Sequence, residues 1–263
     1  MKTIVWDKTR SGSSSGSAMP VGFLGKGEIH VWKARLDSWD NHLDQYYAIL
    51  STLEKERADR FRFAEHRQRF IAAHALLRQI LGAYCSMTPA EVAIQIAESG
   101  KPGLKAGPES REKQLYFNLS HSDRLMLLTV GLNIDSGVDL ERIRPEYDEK
   151  VVSQHFFSKE EQAWLEGMPA GQRKLSFFQL WTCKEAVLKA EGGGIRRNLG
   201  EVEIVFEVNL ETAQCRDKDF QKNKRSWSLR IFSPEMEYTA ALAFENDASA
   251  AQVPDLKFYQ WTG

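Results

Sequence analysis

The run LSFFQLWTCKEAVLKAEGGG (175–194) carries the residues with the most chemical promise. Phe177, Trp181 and Leu188 recur at helical spacing along one stripe, whose next place falls at Lys184 or Glu185. A charge on an inward face is costly unless something compensates it. Neighbouring helix residues point about 100° apart, so Lys184 does not share a face with Glu185. Lys189, four residues on, does, but an internal Glu185–Lys189 pair is worth only about 0.2–0.5 kcal/mol. The other partner available to an inward acid is a cation.

GVDLE (137–141) supplies two more acids, Asp139 and Glu141. On a strand these side chains share a face with Cα atoms roughly 6.5 Å apart, so they can converge on one ion. Magnesium takes one or two carboxylates and completes its octahedron with substrate phosphates and water. The D-x-E pair alone reads first as the solvated face of an edge strand, because that spacing is common. Joined by Glu185 on an inward helix face, with Lys189 beside it, it makes a magnesium–phosphate site.

Basic residues could hold the phosphates. In EKERADRFRFAEHRQRFIAAHALLR (54–78), Lys55, Arg57, Arg60, Arg62, Arg67, Arg69 and Arg78 outnumber the interleaved acids. These arginines form either a solvated helix face with local pairs or an anion site of arginine forks. GKP (100–102) puts Lys101 in a tight loop. FNLSHS (117–122) sets Asn118, Ser120 and Ser122 on one side of a strand end, with His121 opposite or in the turn. Adjacent Ser120 and His121 do not make a hydrolase dyad, and His74, inside an alanine/leucine helix segment, reads as structural.

Positioning these groups requires a substantial scaffold, and 263 residues allow one. The formal net charge of −1, with acids interleaved in the basic helix, excludes a general nucleic-acid binder. Cys85, Cys183 and Cys215 are widely spaced and odd in number, which indicates free thiols in a reducing cytoplasm. No apolar run reaches the ~18 residues of a membrane span. Residues 1–21, with their Ser/Gly run, read as a flexible tail outside the fold.

Strand patterns cover 27–37 and 92–98, then 115–122 and 125–132 around a turn. Helical periodicity runs from Ser51 to Leu81. A similar order restarts after Asp135: the GVDLE strand, two short helices with a capping box at Ser158/Glu161, the long helix, then strands near 202–208, 227–233 and 238–245. Each half offers one long helix and about three strands. The class is α+β, with subdomains at 22–134 and 135–263.

GKP, FNLSHS, GVDLE, FFSKEE and LWTCKEAVLKAEGGGI, in this order, resemble the phosphopantetheinyl transferases of the surfactin-synthetase-activating type. The resemblance spans roughly Ser51 to Ile195. It implies a monomer of two similar subdomains related by pseudo-twofold symmetry, each of antiparallel strands packed on a long helix, with coenzyme A in the cleft between them. It further implies that a serine of an acyl or peptidyl carrier protein attacks the β-phosphate of coenzyme A, takes up 4′-phosphopantetheine and releases 3′,5′-ADP. Asp139, Glu141 and Glu185 match the family's magnesium ligands, and Lys189 the lysine at the pyrophosphate. Lys101, Ser120 and His121 match coenzyme A contacts, with His121 near the 3′-phosphate. Arg57 and Arg69 align with basic residues on the nucleotide phosphates. Glu54 stands where some members carry a lysine. Competing with this reading are a magnesium-dependent hydrolase of nucleotide pyrophosphates and a non-catalytic module that binds coenzyme A or a carrier.

Overall fold

The computed structural model describes residues 4–9, 24–37, 42–105, 114–192, 199–207, 210–217, 226–245 and 253–262. Before the midpoint lie β1 (Asp7–Thr9), β2 (Glu28–Arg35), α1 (Leu43–Ile49), α2 (Thr52–Asp59), α3 (Ala64–Cys85), β3 (Ile94–Ile96), β4 (Pro102–Leu104), β5 (Leu115–Ser122) and β6 (Leu125–Leu132). Then come β7 (Ser136–Arg142), α4 (Glu149–Phe156), α5 (Lys159–Glu166), α6 (Ala170–Glu191), β8 (Val202–Phe206), β9 (Thr212–Asp217), β10 (Trp227–Phe232), β11 (Tyr238–Glu245) and β12 (Asp255–Trp261). The α+β class and the two long helices, α3 and α6, are as the periodicity predicts.

Local chemistry sets the boundaries. Ser51 and Ser158 open α2 and α5 with complete capping boxes, closed by Glu54 and Glu161. The β5–β6 turn places Asp123 at φ 51°, a left-handed conformation that Asp tolerates better than most residues. The helical pattern expected to run unbroken from Ser51 is interrupted between α2 and α3. The interruption turns Phe61 onto Phe70, with ring centroids 5.3 Å apart.

Two five-stranded sheets carry the fold, ordered β1-β12-β2-β6-β5 and β7-β11-β10-β9-β8. One core lies under α3, around Trp32, Phe70, Leu76 and Leu128. A second lies under α6, around Phe177, Val187, Trp227 and Cys183. The third joins the two sheets through Val31, Leu127, Leu140 and Leu242. The central strands are therefore covered on both faces, which explains near-continuous apolar runs such as LMLLTVGL in β6.

Five strands per sheet exceed the three read in each half. The extra ones carry weak signals: β9 is TAQCRD, and β12 is half-buried along most of its length. The position of β12 differs from the expected 135–263 unit. It pairs in parallel with β2, Asp255 opposite Glu28, and so belongs to the first sheet. Residues 7–9, placed in the expected tail, pair with β12, and Trp6 packs on Phe258 with centroids 5.3 Å apart. The Ser/Gly run itself lies outside the described residues. Among those residues, no helix is long and apolar enough to cross a membrane.

Candidate active site at the seam between the sheets

β5 and β7 are edge strands of different sheets, and side chains stitch them together. Asn118 Oδ1 accepts from the backbone N–H of Val138 at 2.9 Å, and Ser122 Oγ accepts from that of Arg142 at 3.1 Å. α6 lies unusually close to β7 because Gly137 has no side chain. A Cβ there would sit 2.1 Å from the Ala186 carbonyl oxygen and 2.4 Å from the Ala190 nitrogen. This close approach delivers α6's charged residues to the acids of β7.

Asp139 is the centre of the site. Its Oδ1 accepts from Ser120 Oγ at 3.0 Å and from Lys189 Nζ at 2.6 Å. Lys189 also donates to Ser120 Oγ at 2.9 Å. Asp139 Oδ2 is buried and has no hydrogen-bond partner. A buried carboxylate oxygen left unpaired is costly, and a cation is the partner it lacks. On the same face of β7, Glu141 Oε2 accepts from Ser122 Oγ at 2.9 Å. Burial, then the charge of Asp139, push the Glu141 carboxyl up to about 7. The same two causes, in the same order, raise Glu185. Glu141 and Glu185, both raised by burial and by the charge of Asp139, form with it an environment a divalent cation would relieve. Among the described residues, no three such side chains are gathered into a closed cage. Lys189 already occupies one oxygen of Asp139.

Lys184 answers the helix geometry from the other side. It is fully buried in the second core, where it donates to Glu161 Oε1 at 2.8 Å and Oε2 at 2.6 Å and to the Val202 carbonyl. Neighbours on α6 thus serve different halves of the problem: Lys184 holds α5 and β8, while Glu185 turns toward the acids of β7.

A cleft of about 620 Å³ opens beside Asp139, lined by Arg57, Phe70, Ser120, His121, Glu141 and Lys189 among others. Arg57 is exposed, with its guanidinium 5.2 Å from the centre of the Phe70 ring. The His121 ring reaches solvent on the cleft wall. Its crowded surroundings, then the positive charges of Lys189, His74, Arg57 and Arg69, lower its pKa.

Three expected site residues are placed differently. Glu185 is not among the residues lining the cleft. Arg69 is also outside it and binds Asp123 at 2.9 Å and Glu65 at 2.5 Å. Lys101, expected on coenzyme A, joins the two halves. It donates to Asp135, to the Ser136 carbonyl at 3.4 Å and to the Ala190 carbonyl at 2.7 Å. An ammonium among the last carbonyls of α6 complements the negative end of that helix.

The cleft also contains a cluster that the motifs did not announce. Glu54 accepts from His74 Nδ1 at 2.9 Å, from Arg78 Nε at 2.7 Å and from the Ser51 backbone at 2.8 Å. Burial works to raise its pKa, but the hydrogen bonds from His74, Ser51 and Arg78 outweigh burial and hold the carboxyl at about 2. Glu54 therefore orders the cleft wall. The capping-box spacing Ser51/Glu54 was the available signal.

Comparison with known proteins fits this arrangement. The model of the 4′-phosphopantetheinyl transferase superfamily matches residues 136–243, and that of the 4′-phosphopantetheinyl transferase N-terminal region matches 32–131. The 4′-phosphopantetheinyl transferase HetI of Nostoc sp. is 39% identical over 220 residues, covering 82% of this chain and 87% of that protein. A putative 4′-phosphopantetheinyl transferase of Synechocystis sp., slr0495, is 32% identical over 224 residues, covering 82% and 89%. Sfp of Bacillus subtilis is 26% identical over 152 residues, covering 58% and 64%. With both halves matched and a relative of this identity across most of its length, the chain belongs to the 4′-phosphopantetheinyl transferase superfamily and is an enzyme of that class.

Proposed function

We propose that the protein moves the 4′-phosphopantetheine arm of coenzyme A onto a serine of an acyl or peptidyl carrier protein, with magnesium as cofactor, acting as a cytoplasmic monomer. The observation that carries the magnesium assignment is the unpartnered buried Oδ2 of Asp139, beside two further acids whose carboxyls are raised by burial and by Asp139. Asp139, Glu141 and Glu185 would hold the ion. A bound magnesium would supply neutralisation of pyrophosphate charge.

This chain's own residues do the rest. Lys189, poised 2.6 Å from Asp139, meets the pyrophosphate and stabilises charge on the leaving side. Glu185, directly or through a water, takes the proton of the carrier serine. The serine Oγ forms a bond to the β-phosphorus, the pyrophosphate bond breaks, and its electron pair leaves on 3′,5′-ADP. Arg57 and His121 line the cleft and hold nucleotide phosphates; Arg69 joins them by exchanging Asp123 for phosphate. The carrier docks beside β7, where Arg144, Tyr147, Val151 and Phe156 are exposed while Phe157 is core.

Incubation with coenzyme A, magnesium and an apo carrier protein tests the reading. A mass gain of one phosphopantetheine arm on the carrier supports it. Free phosphopantetheine would mark a hydrolase, and no turnover at all a binding module. A panel of fatty acid, polyketide and peptide carriers would then name the pathway served.

A further inference from the structure

The serines of β5 are spaced like the acids of β7: Ser120 meets Asp139, and Ser122 meets Glu141, in the same relative register. Donor chemistry fixes the direction of each bond. A backbone N–H can only donate, so Ser122 Oγ accepts from Arg142 N, at 3.1 Å. An ionised carboxylate can only accept, so the Ser122 hydrogen goes to Glu141 Oε2, at 2.9 Å. An ammonium likewise can only donate, so Ser120 accepts from Lys189 and gives its hydrogen to Asp139 Oδ1. In each acid one oxygen is tied to β5. For Asp139 the other oxygen is the buried, unpartnered one.

β11 offers Glu141 no comparable support. Thr239 is the Cα partner of Glu141 across the β7–β11 ladder and is fully buried, yet its hydroxyl has no hydrogen-bond partner. Among the described residues, Ser122 supplies the side-chain donor to Glu141.

We propose that Ser122 is a positioning residue for the metal centre, holding Glu141 Oε2 so that the other oxygen is turned to the cation. The inference rests on the magnesium reading above. Ser122 touches neither substrate nor ion; it acts through Glu141, as the partners behind metal ligands commonly do. The position also joins the halves, because Ser122 ends β5 of the first sheet and Glu141 lies on β7 of the second. The metal site is thereby assembled only when the seam between the sheets is closed.

Manganese binding to the purified full chain, followed by electron paramagnetic resonance, separates the possibilities without reference to turnover. Expected is a loss of manganese affinity of about 10-fold or more in Ser122→Ala, with recovery in Ser122→Thr, which keeps the hydroxyl. The magnesium concentration for half-maximal transfer should rise in parallel. Should the alanine variant fail to fold, Ser122→Cys replaces it, since a thiol is a poor donor to Glu141. Glu141→Gln reports on the underlying reading. If Glu141→Gln loses manganese while Ser122→Ala or Ser122→Cys binds as wild type does, the positioning role is overturned. If Glu141→Gln itself binds manganese as wild type does, the assignment of Glu141 as a metal ligand fails first.

Discussion

Lys189 gives its Nζ to Asp139 at 2.6 Å, although Glu185 is its i−4 neighbour on the same helix. Among the described residues no salt bridge joins Lys189 to Glu185, and the Lys189 charge, which lowers the Glu185 carboxyl, is outweighed by burial and by Asp139. Glu185→Gln should therefore leave stability nearly unchanged while transfer falls by about 10²–10⁴-fold, the range for loss of a positioned base. Asp139→Asn should follow the same pattern if both serve one ion. Transfer rate against magnesium concentration checks this, and wild-type curves in both variants would sink the mechanism.

The nucleotide prediction concerns His121. It lines the cleft among positive groups, and a charge-assisted hydrogen bond contributes about 1.5–3 kcal/mol, or roughly 10- to 100-fold. His121→Ala should weaken coenzyme A by that factor and dephospho-coenzyme A far less. Equal weakening of both ligands would move His121 away from the 3′-phosphate.

Carrier docking can be separated from coenzyme A binding at Arg144. Its side chain is exposed, next to a surface where Val151 is 54% and Phe156 is 40% exposed. Arg144→Glu should raise KM for the carrier and leave KM for coenzyme A alone. Unchanged carrier kinetics would exclude this patch.

The Lys184–Glu161 pair makes a stability prediction. Both groups are buried, and Glu161 also accepts from the N–H groups of Ser158 and Ile204. Lys184→Ala strands that carboxylate and should cost about 3–5 kcal/mol. Lys184→Met with Glu161→Gln should recover much of the loss in denaturant titration, because no unpaired charge then remains inside.

Glu54 predicts a pH dependence. Its carboxyl is held at about 2, below its ordinary 4.5, so its stabilisation is present above 4.5 and is lost as pH falls through 2. The difference in Tm between wild type and Glu54→Gln should be full near neutrality and shrink across that window. A constant difference would mean that the hydrogen bonds to His74 and Arg78 do not depend on the charge.

Much of this was legible in the sequence because periodicity and spacing report local geometry. GVDLE declared two acids on one strand face, and the WTCKEAVLK stripe declared that Glu185 breaks an apolar pattern. The actual partners were not legible, since they depend on distances between elements. Nothing local says that Lys189 reaches across to Asp139, that Lys101 ends on the Ala190 carbonyl or that Asp123 captures Arg69. β12 escaped for a similar reason: DLKFYQW carries charge and half-exposed residues, and its partner strand lies more than two hundred positions earlier.

That pairing of β12 with β2 has a kinetic consequence. The first sheet cannot be completed locally; it waits for Asp255–Trp261 to close a loop that contains the whole second half. Such long-range pairing slows folding, because chain entropy is lost before the contact returns anything. The second sheet and α6, built from contiguous residues, should form early and the first sheet last. Cutting the chain near residue 135 would leave β2 with an open edge beside an apolar surface, the condition that invites aggregation.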